Sequence, residues 1–166
     1  NIAAKTAHHH LQNGITFMDK SEKDMYGEVY RSAKSGADTI LALLPRVKNE
    51  QLMGELTTQL DGYLSFASRA ESGLAQCHEK PKEVSKAKTF ATKAGIAAET
   101  MFDASPSHIA ELLIRENSDD VVSLDRARNK AERSIEPSAS VSEAYELGGE
   151  LLSFRKKNLE RMRKYL

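Results

Sequence analysis

The residues of this chain with metal chemistry in them are three consecutive histidines, His8, His9 and His10, and the pair Cys77-His78. Imidazole and thiolate hold zinc or copper where three or four of them converge. Consecutive residues on a helix point about 100° apart, so at most two of the three histidines can share one ion. In a hairpin turning near Arg46, Cys77 falls opposite about residue 16, an axial offset of ~10 Å from the histidines. The alternative is a solvated histidine run near a chain end, and no metal is expected. A di-iron bundle needs Glu-x-x-His on two helices. No Glu stands three residues before any of the 5 His. The sequence contains neither a glycine-rich phosphate loop nor a nucleophile elbow. Cys77 reads as a small, partly buried residue rather than a nucleophile. These features point away from an enzyme and from a bound cofactor.

Ligand chemistry is better represented in Met25-Tyr26-Gly27-Glu28-Val29-Tyr30-Arg31. Tyr26 and Tyr30 share a helix face, with Arg31 beside them. Arg with Tyr can grip a small carboxylate through paired hydrogen bonds and ring contacts. The alternative is that the tyrosines rim a core and Arg31 is solvated. Arg69 and Arg155 are isolated candidates of the same kind. The strongest charge bias is the last run, Arg155 to Lys164, with six basic residues in ten. Lys156, Lys157, Arg161 and Arg163 stand opposite Leu159, Met162 and Leu166, as in a basic amphipathic helix. Such a helix lies on an anionic membrane, leads into a membrane segment or contacts a partner. Cations that complement a helix C-terminus are the simpler explanation.

The elements that must position these residues are helices. Apolar residues recur at spacings of three and four: Met25 and Val29; Leu52, Leu56, Tyr63, Ala67, Ala70 and Leu74; Ala144, Leu147, Leu151, Leu159 and Met162. That spacing makes one stripe per helix. Several stripes in one short chain bury themselves against each other, so the expected fold is all-α, an antiparallel up-down bundle. The chain has 166 residues, 40% hydrophobic and 29% charged, which suits one folded, helix-rich domain. Its 24 basic and 24 acidic residues cancel, which gives no reason to expect a nucleic-acid partner. One Cys excludes an internal disulfide. No apolar run reaches the ~18 residues of a membrane span.

The first helix is expected over about 2–43, ended by Pro45. The second runs over about 49–77. The third, about 82–102, carries Val84, Ala87, Ala91, Ala94, Ala98 and Met101 on one stripe, whose small residues imply close packing. Residues 103–136 admit two readings. They form the bent top of the third helix, giving four long helices, or a separate fifth. Ser105-Pro106 reads as a cap followed by proline at the first helical position. Asn117-Ser118-Asp119-Asp120 reads as a break. Ser140 with Glu143 makes a capping box that starts the last helix. Both chain ends carry helical sequence, which suggests a module excised from a longer chain, or a processed protein.

Ser21-Glu22-Lys23-Asp24-Met25-Tyr26, then a proline turn, then Leu52-Met53-Gly54-Glu55-Leu56-Thr57-Thr58-Gln59-Leu60-Asp61-Gly62-Tyr63-Leu64, resembles the extracytoplasmic helical-bundle sensor domains of bacterial chemoreceptors and sensor kinases. The resemblance covers about the first 75 residues. It implies a signal-input domain for chemotaxis or related signal transduction, periplasmic, attached to an inner-membrane protein. It implies a small-molecule ligand such as an organic acid, bound between helices, and a homodimer. Carried onto this chain, it favours Tyr26, Tyr30, Arg31 and Arg46 as ligand contacts. The other functional expectation is a non-enzymatic interaction module, such as an effector domain, an adaptor or an assembly protein. Its basic last helix would dock on a helical partner or an acidic lipid.

Overall fold

Pro45 lacks an amide hydrogen and crowds the residue before it, so the first helix must end just ahead of it. In the computed structural model, which describes residues 20–76, 78–133 and 142–166, helix α1 covers Lys20–Leu43 and passes into a 3-10 turn at Leu44–Arg46. Helix α2 covers Glu50–Gln76, α3 Lys86–Glu99, α4 Pro106–Glu132 and α5 Glu143–Met162. A final 3-10 turn covers Arg163–Tyr165. The described residues contain no strand, and the five helices pack together. None of these helices is long and apolar enough to cross a membrane.

Side-chain caps set most of the starts. Asn49 Oδ1 accepts from the Leu52 amide at 2.8 Å ahead of α2. Ser85 caps α3 by accepting from the Lys88 amide. Ser105 caps α4 with Pro106 at the first helical position, as expected from the sequence. Ser142 caps α5 by accepting from the Tyr145 amide. The expected capping residue, Ser140, lies outside the described residues. A helix starting at Glu143 sets Ala144, Leu147 and Leu151 on one buried line, which makes Ser142 the capping oxygen. Helix α2 ends in a Schellman turn. The Glu79 amide donates to Leu74 O and the His78 amide to Ala75 O, with His78 left-handed at φ 60°.

Residues 106–132 form a helix of their own, and the expected break at 117–120 does not occur. Asn117 is buried, and its side chain is engaged by Tyr63 and Arg155. Ser118 donates back to Ile114 O. Polar side chains held this way cannot pull the backbone out of the helix.

Helix α1 is the centre of the bundle and touches all four others. It is buried over most of its circumference, through Met25, Tyr26, Val29, Ser32, Ala33, Gly36, Ala37, Ile40 and Leu43 among others. Its neighbours come close because rings sit on glycines. Tyr63 of α2 covers Gly36, Tyr26 of α1 covers Gly73, and Phe154 of α5 covers Gly62.

Helix α3 reverses the expectation made for it. Ala87, Ala91, Ala94 and Ala98 are exposed, and Met101, at 66% exposure, has left the helix. The inward line is Ile96 and Thr100, both buried, with Thr89 and Thr92 half-buried. Position 96 points about 180° from the alanine stripe. The chain thus places a short Thr/Ile line on α1, and none of the described helices covers the alanine side.

Gly36→Ala should lower stability by about 1–3 kcal/mol in urea unfolding, because a Cβ there would lie 2.7 Å from the Tyr63 ring. Gly54→Ala, in the open surface of α2 with nothing within 4 Å of its Cβ, should instead raise stability by about 1 kcal/mol. Equal responses at the two sites would show that the ring-on-glycine contact does not set the helix spacing.

Candidate functional site

Arg155 is the most unusual residue of the core. It lies on α5 three positions after Leu152, where the helix period turns it inward, and it is 1% exposed. Its guanidinium reaches α1, α2 and α4 together. Nε donates to Ser32 Oγ at 3.0 Å and Nη2 donates to Ser32 O. Nη1 donates to Asn117 Oδ1 at 2.6 Å and to Tyr63 Oη at 3.2 Å. Nη2 pairs with Asp120 Oδ2 at 2.8 Å. The guanidinium carbon also stands 4.8 Å from the Tyr63 ring centroid, and Tyr63 Oη donates to Asn117 Oδ1 at 2.7 Å.

Electrostatics fit this arrangement. Burial pushes the Tyr63 phenol above its ordinary value, against a smaller downward pull from Arg155, so the group stays a neutral donor. Burial also pushes the Asp120 carboxyl up, and Arg155 opposes the shift. The space beside the cluster is about 10 Å³, room for one water at most. Its polar groups already face each other. The cluster can hold four helices in place, and it is too small to admit a metabolite. Gln59 and Asn158 extend the buried polar layer by one turn.

The four residues favoured as ligand contacts do not share one site. Tyr26 is buried over Gly73 and borders a depression of about 270 Å³ that Arg69 also lines. Arg69 itself pairs with Glu150 at 2.6 Å. Tyr30 Oη donates to Glu83 Oε1 at 3.1 Å, and burial, then Glu83, raises its pKa. Arg31 is exposed, pairs with Glu28 and donates to Gly27 O. Arg46 is exposed in the 3-10 turn, some 15 residues and roughly 22 Å along the α1 axis from Arg31.

Arg31 nevertheless lines a surface cleft of about 510 Å³ between α1 and α4, with Asp24, Met25, Glu28, Ala127 and Lys130. A second cleft of about 280 Å³ adjoins Arg31 on its other side, beside Lys23, Glu79 and Lys82.

The basic stretch of α5 is mostly paired. Lys156 faces Asp125 at 3.9 Å, Arg161 faces Glu55 at 3.2 Å and Arg163 faces Glu160 at 2.7 Å, while Lys157 is exposed. Met162, on the inward apolar stripe that the spacing gave to the last helix, is fully buried. Among the described residues no group of three His, Cys, Asp or Glu could hold a metal ion. His8, His9, His10 and Cys77 lie outside the described residues.

Sequence reasoning named Arg155 and missed its partners. The signal was present. Gln59 interrupts the Leu52–Leu56–Tyr63 line, and Asn158 interrupts the line from Leu151 to Met162. These two positions mark a buried polar layer beside Arg155, whose own partners are Ser32, Tyr63, Asn117 and Asp120.

Arg155→Lys keeps the charge but offers one ammonium where five contacts converge. It should cost about 2–4 kcal/mol in urea unfolding. Arg161→Lys, at an exposed pair, should stay within about 0.5 kcal/mol of the unsubstituted chain. Matching midpoints for the two variants would remove Arg155 as the anchor of the core.

No family model matches the chain, and no curated protein or solved structure is detectably similar to it.

Proposed function

We propose that this chain is a non-enzymatic helical interaction module that docks a partner helix on the outer face of α3. The observation that carries this reading is the orientation of α3. Its Thr/Ile line meets α1, while Phe90 is 74% exposed and Phe102 is 90% exposed. Phe90 shares a side of α3 with four exposed alanines, and Met101 and Phe102 stand exposed in the turn that follows the helix. Exposed apolar side chains gathered on one element mark interaction sites. An amphipathic helix laid on such a face is a recurring mode of recognition. The best-organised polar cluster, around Arg155, is filled by its own side chains, which supports binding at a surface over chemistry in a pocket.

The path of the chain follows from its contacts. Met25 lies against Gly148, Tyr26 against Gly73, Tyr63 against Gly36 and Phe154 against Gly62, and Arg161 meets Glu55. These pairings support an antiparallel up-down bundle of five passes, with Lys20 and Met162 at opposite ends.

The reading predicts that Phe90→Glu with Phe102→Glu leaves the unfolding midpoint within about 0.5 kcal/mol of the unsubstituted chain. The same pair should abolish capture of a specific partner from the source cells. An unchanged set of captured proteins would overturn the docking reading.

One observation favours a second reading, the ligand-sensing bundle of a bacterial transmembrane receptor, with its ligand domain outside the cytoplasm. The cleft beside Arg31 has the volume of a small-molecule site and carries Lys20 and Lys130 as further cations. A carboxylate there would compete with Glu28 for Arg31 and act by shifting α1 against α4. On this reading an organic acid raises the melting temperature by mass action, and Arg31→Ala weakens it tenfold to a hundredfold. A screen of organic acids in which none stabilises the chain would remove the reading.

A further inference from the structure

We infer that α3 and the turns flanking it, residues 80–104, form a strap that opens as one unit from a four-helix bundle that stays folded. The opening is a property of the chain alone and goes beyond the docking reading.

The first argument is burial. Of the 14 residues of α3, Ile96 alone is buried, Thr89, Thr92 and Ala97 are half-buried, and the other ten are exposed. Helix α1, by contrast, buries 11 of its 24 residues. Thr100, buried just after α3, turns its hydroxyl back to Ile96 O at 2.7 Å. A helix of about 14 residues is marginal in water when alone. Helix α3 is therefore helical only while it is held, and one isoleucine with three half-buried side chains is a small apolar hold. Segments of this kind open locally at a fraction of the global unfolding free energy.

The second argument is that polar contacts at the two ends complete the hold. At the root of the strap Glu79 pairs with Lys23 at 3.3 Å, and on the approach Glu83 accepts from Tyr30 Oη at 3.1 Å. At the far end Arg115 Nη2 donates to both Glu99 carboxylate oxygens, at 2.9 and 2.8 Å. A His108 ring nitrogen lies 3.1 Å from Glu99 O. Glu79, Glu83, Glu99 and Arg115 are all exposed. Exposed pairs contribute little each and weaken as salt rises. Releasing them strands no charge, because water takes up both partners.

The third argument is that the rest of the fold is closed without α3. Helix α2 ends in its own Schellman turn, with the Glu79 and His78 amides on Leu74 O and Ala75 O. Helix α4 begins at its own cap, where Ser105 Oγ accepts from the His108 amide and Pro106 follows. Neither cap takes a hydrogen bond from residues 86–99. The Arg155 cluster joins α1, α2, α4 and α5 through Ser32, Tyr63, Asn117 and Asp120. From α3 only the charge of Lys88 is felt there, at Asp120. The register that the cluster sets therefore survives when α3 leaves.

The test is hydrogen–deuterium exchange of the full chain in rising urea, below the unfolding transition. Amides 90–99, bonded within α3, should exchange together, at least about a hundredfold faster than the buried amides of α1 and α5. Their exchange should also depend far less steeply on urea, because opening the strap exposes little surface. Ile96→Ala should raise α3 exchange by at least roughly tenfold. Arg115→Gln should raise it several-fold. Gly36→Ala disturbs the contact of α1 with α2 in the closed and open forms alike. It should speed the core amides and leave those of α3 unchanged.

Exchange of α3 at the core rate, with the core's urea dependence, would overturn the strap. So would equal acceleration of α3 and the core by Gly36→Ala. Protection that falls smoothly from the middle of α3 toward its ends would show fraying in place of a unit opening. An unchanged rate in Arg115→Gln would overturn the Glu99 clasp as what closes the strap.

Discussion

The guanidinium of Arg155 is the one group on which four helices converge. It takes the Ser32 hydroxyl and carbonyl from α1, Tyr63 from α2, and Asn117 and Asp120 from α4. Removing an ion from water costs several kcal/mol, and partial pairing does not recover that cost. The cluster is therefore stable only when all its partners arrive together. Shifting α4 by one residue along its axis would move Asn117 and Asp120 by ~1.5 Å and rotate them by about 100°. Arg155 would then be buried with donors unmet. The interaction adds modest net stability, and its larger effect is to select one register among the many that an apolar core would tolerate.

Close approach of the backbones makes that convergence possible. The Tyr63 ring reaches the cluster because Gly36 leaves room beneath it. The same ring packs edge-on against Phe154 at 5.1 Å between centroids, and Phe154 rests over Gly62. Glycine within a helix costs about 1 kcal/mol of helix propensity. At these positions the contact it permits offsets the cost, because the rings fill the space that side chains would otherwise hold open. At Gly54 nothing is near, and the cost has no visible return.

Helix α3 stands apart from this scheme. It packs chiefly on α1 and joins α4 by side-chain contacts, Arg115 with Glu99 and His108 with the Glu99 carbonyl. It brings one buried apolar residue, Ile96, to the core. Among the described residues, most of its circumference is exposed.

The sequence by itself determined that this chain is helical, where most helices stop, and which lines of α1, α2 and α5 turn inward. Those properties come from local chemistry: proline at 45, serine ahead of Pro106, and apolar residues every third and fourth position. It offered Arg155 only as an isolated ligand candidate, and the polar residues Gln59 and Asn158 on the apolar lines were not read as core. Tertiary structure alone decided the rest. The polar run at 117–120 reads as a break in isolation, because free Asn, Ser and Asp compete with the helix for backbone hydrogen bonds. It stays helical here because Tyr63 and Arg155 occupy those side chains. Tyr26, Tyr30 and Arg31 look like one site in sequence, yet the helix turns them toward three different neighbours. The alanine stripe of α3 has the spacing of a core face. Periodicity shows that a helix has an apolar side, and only packing shows whether this chain covers it.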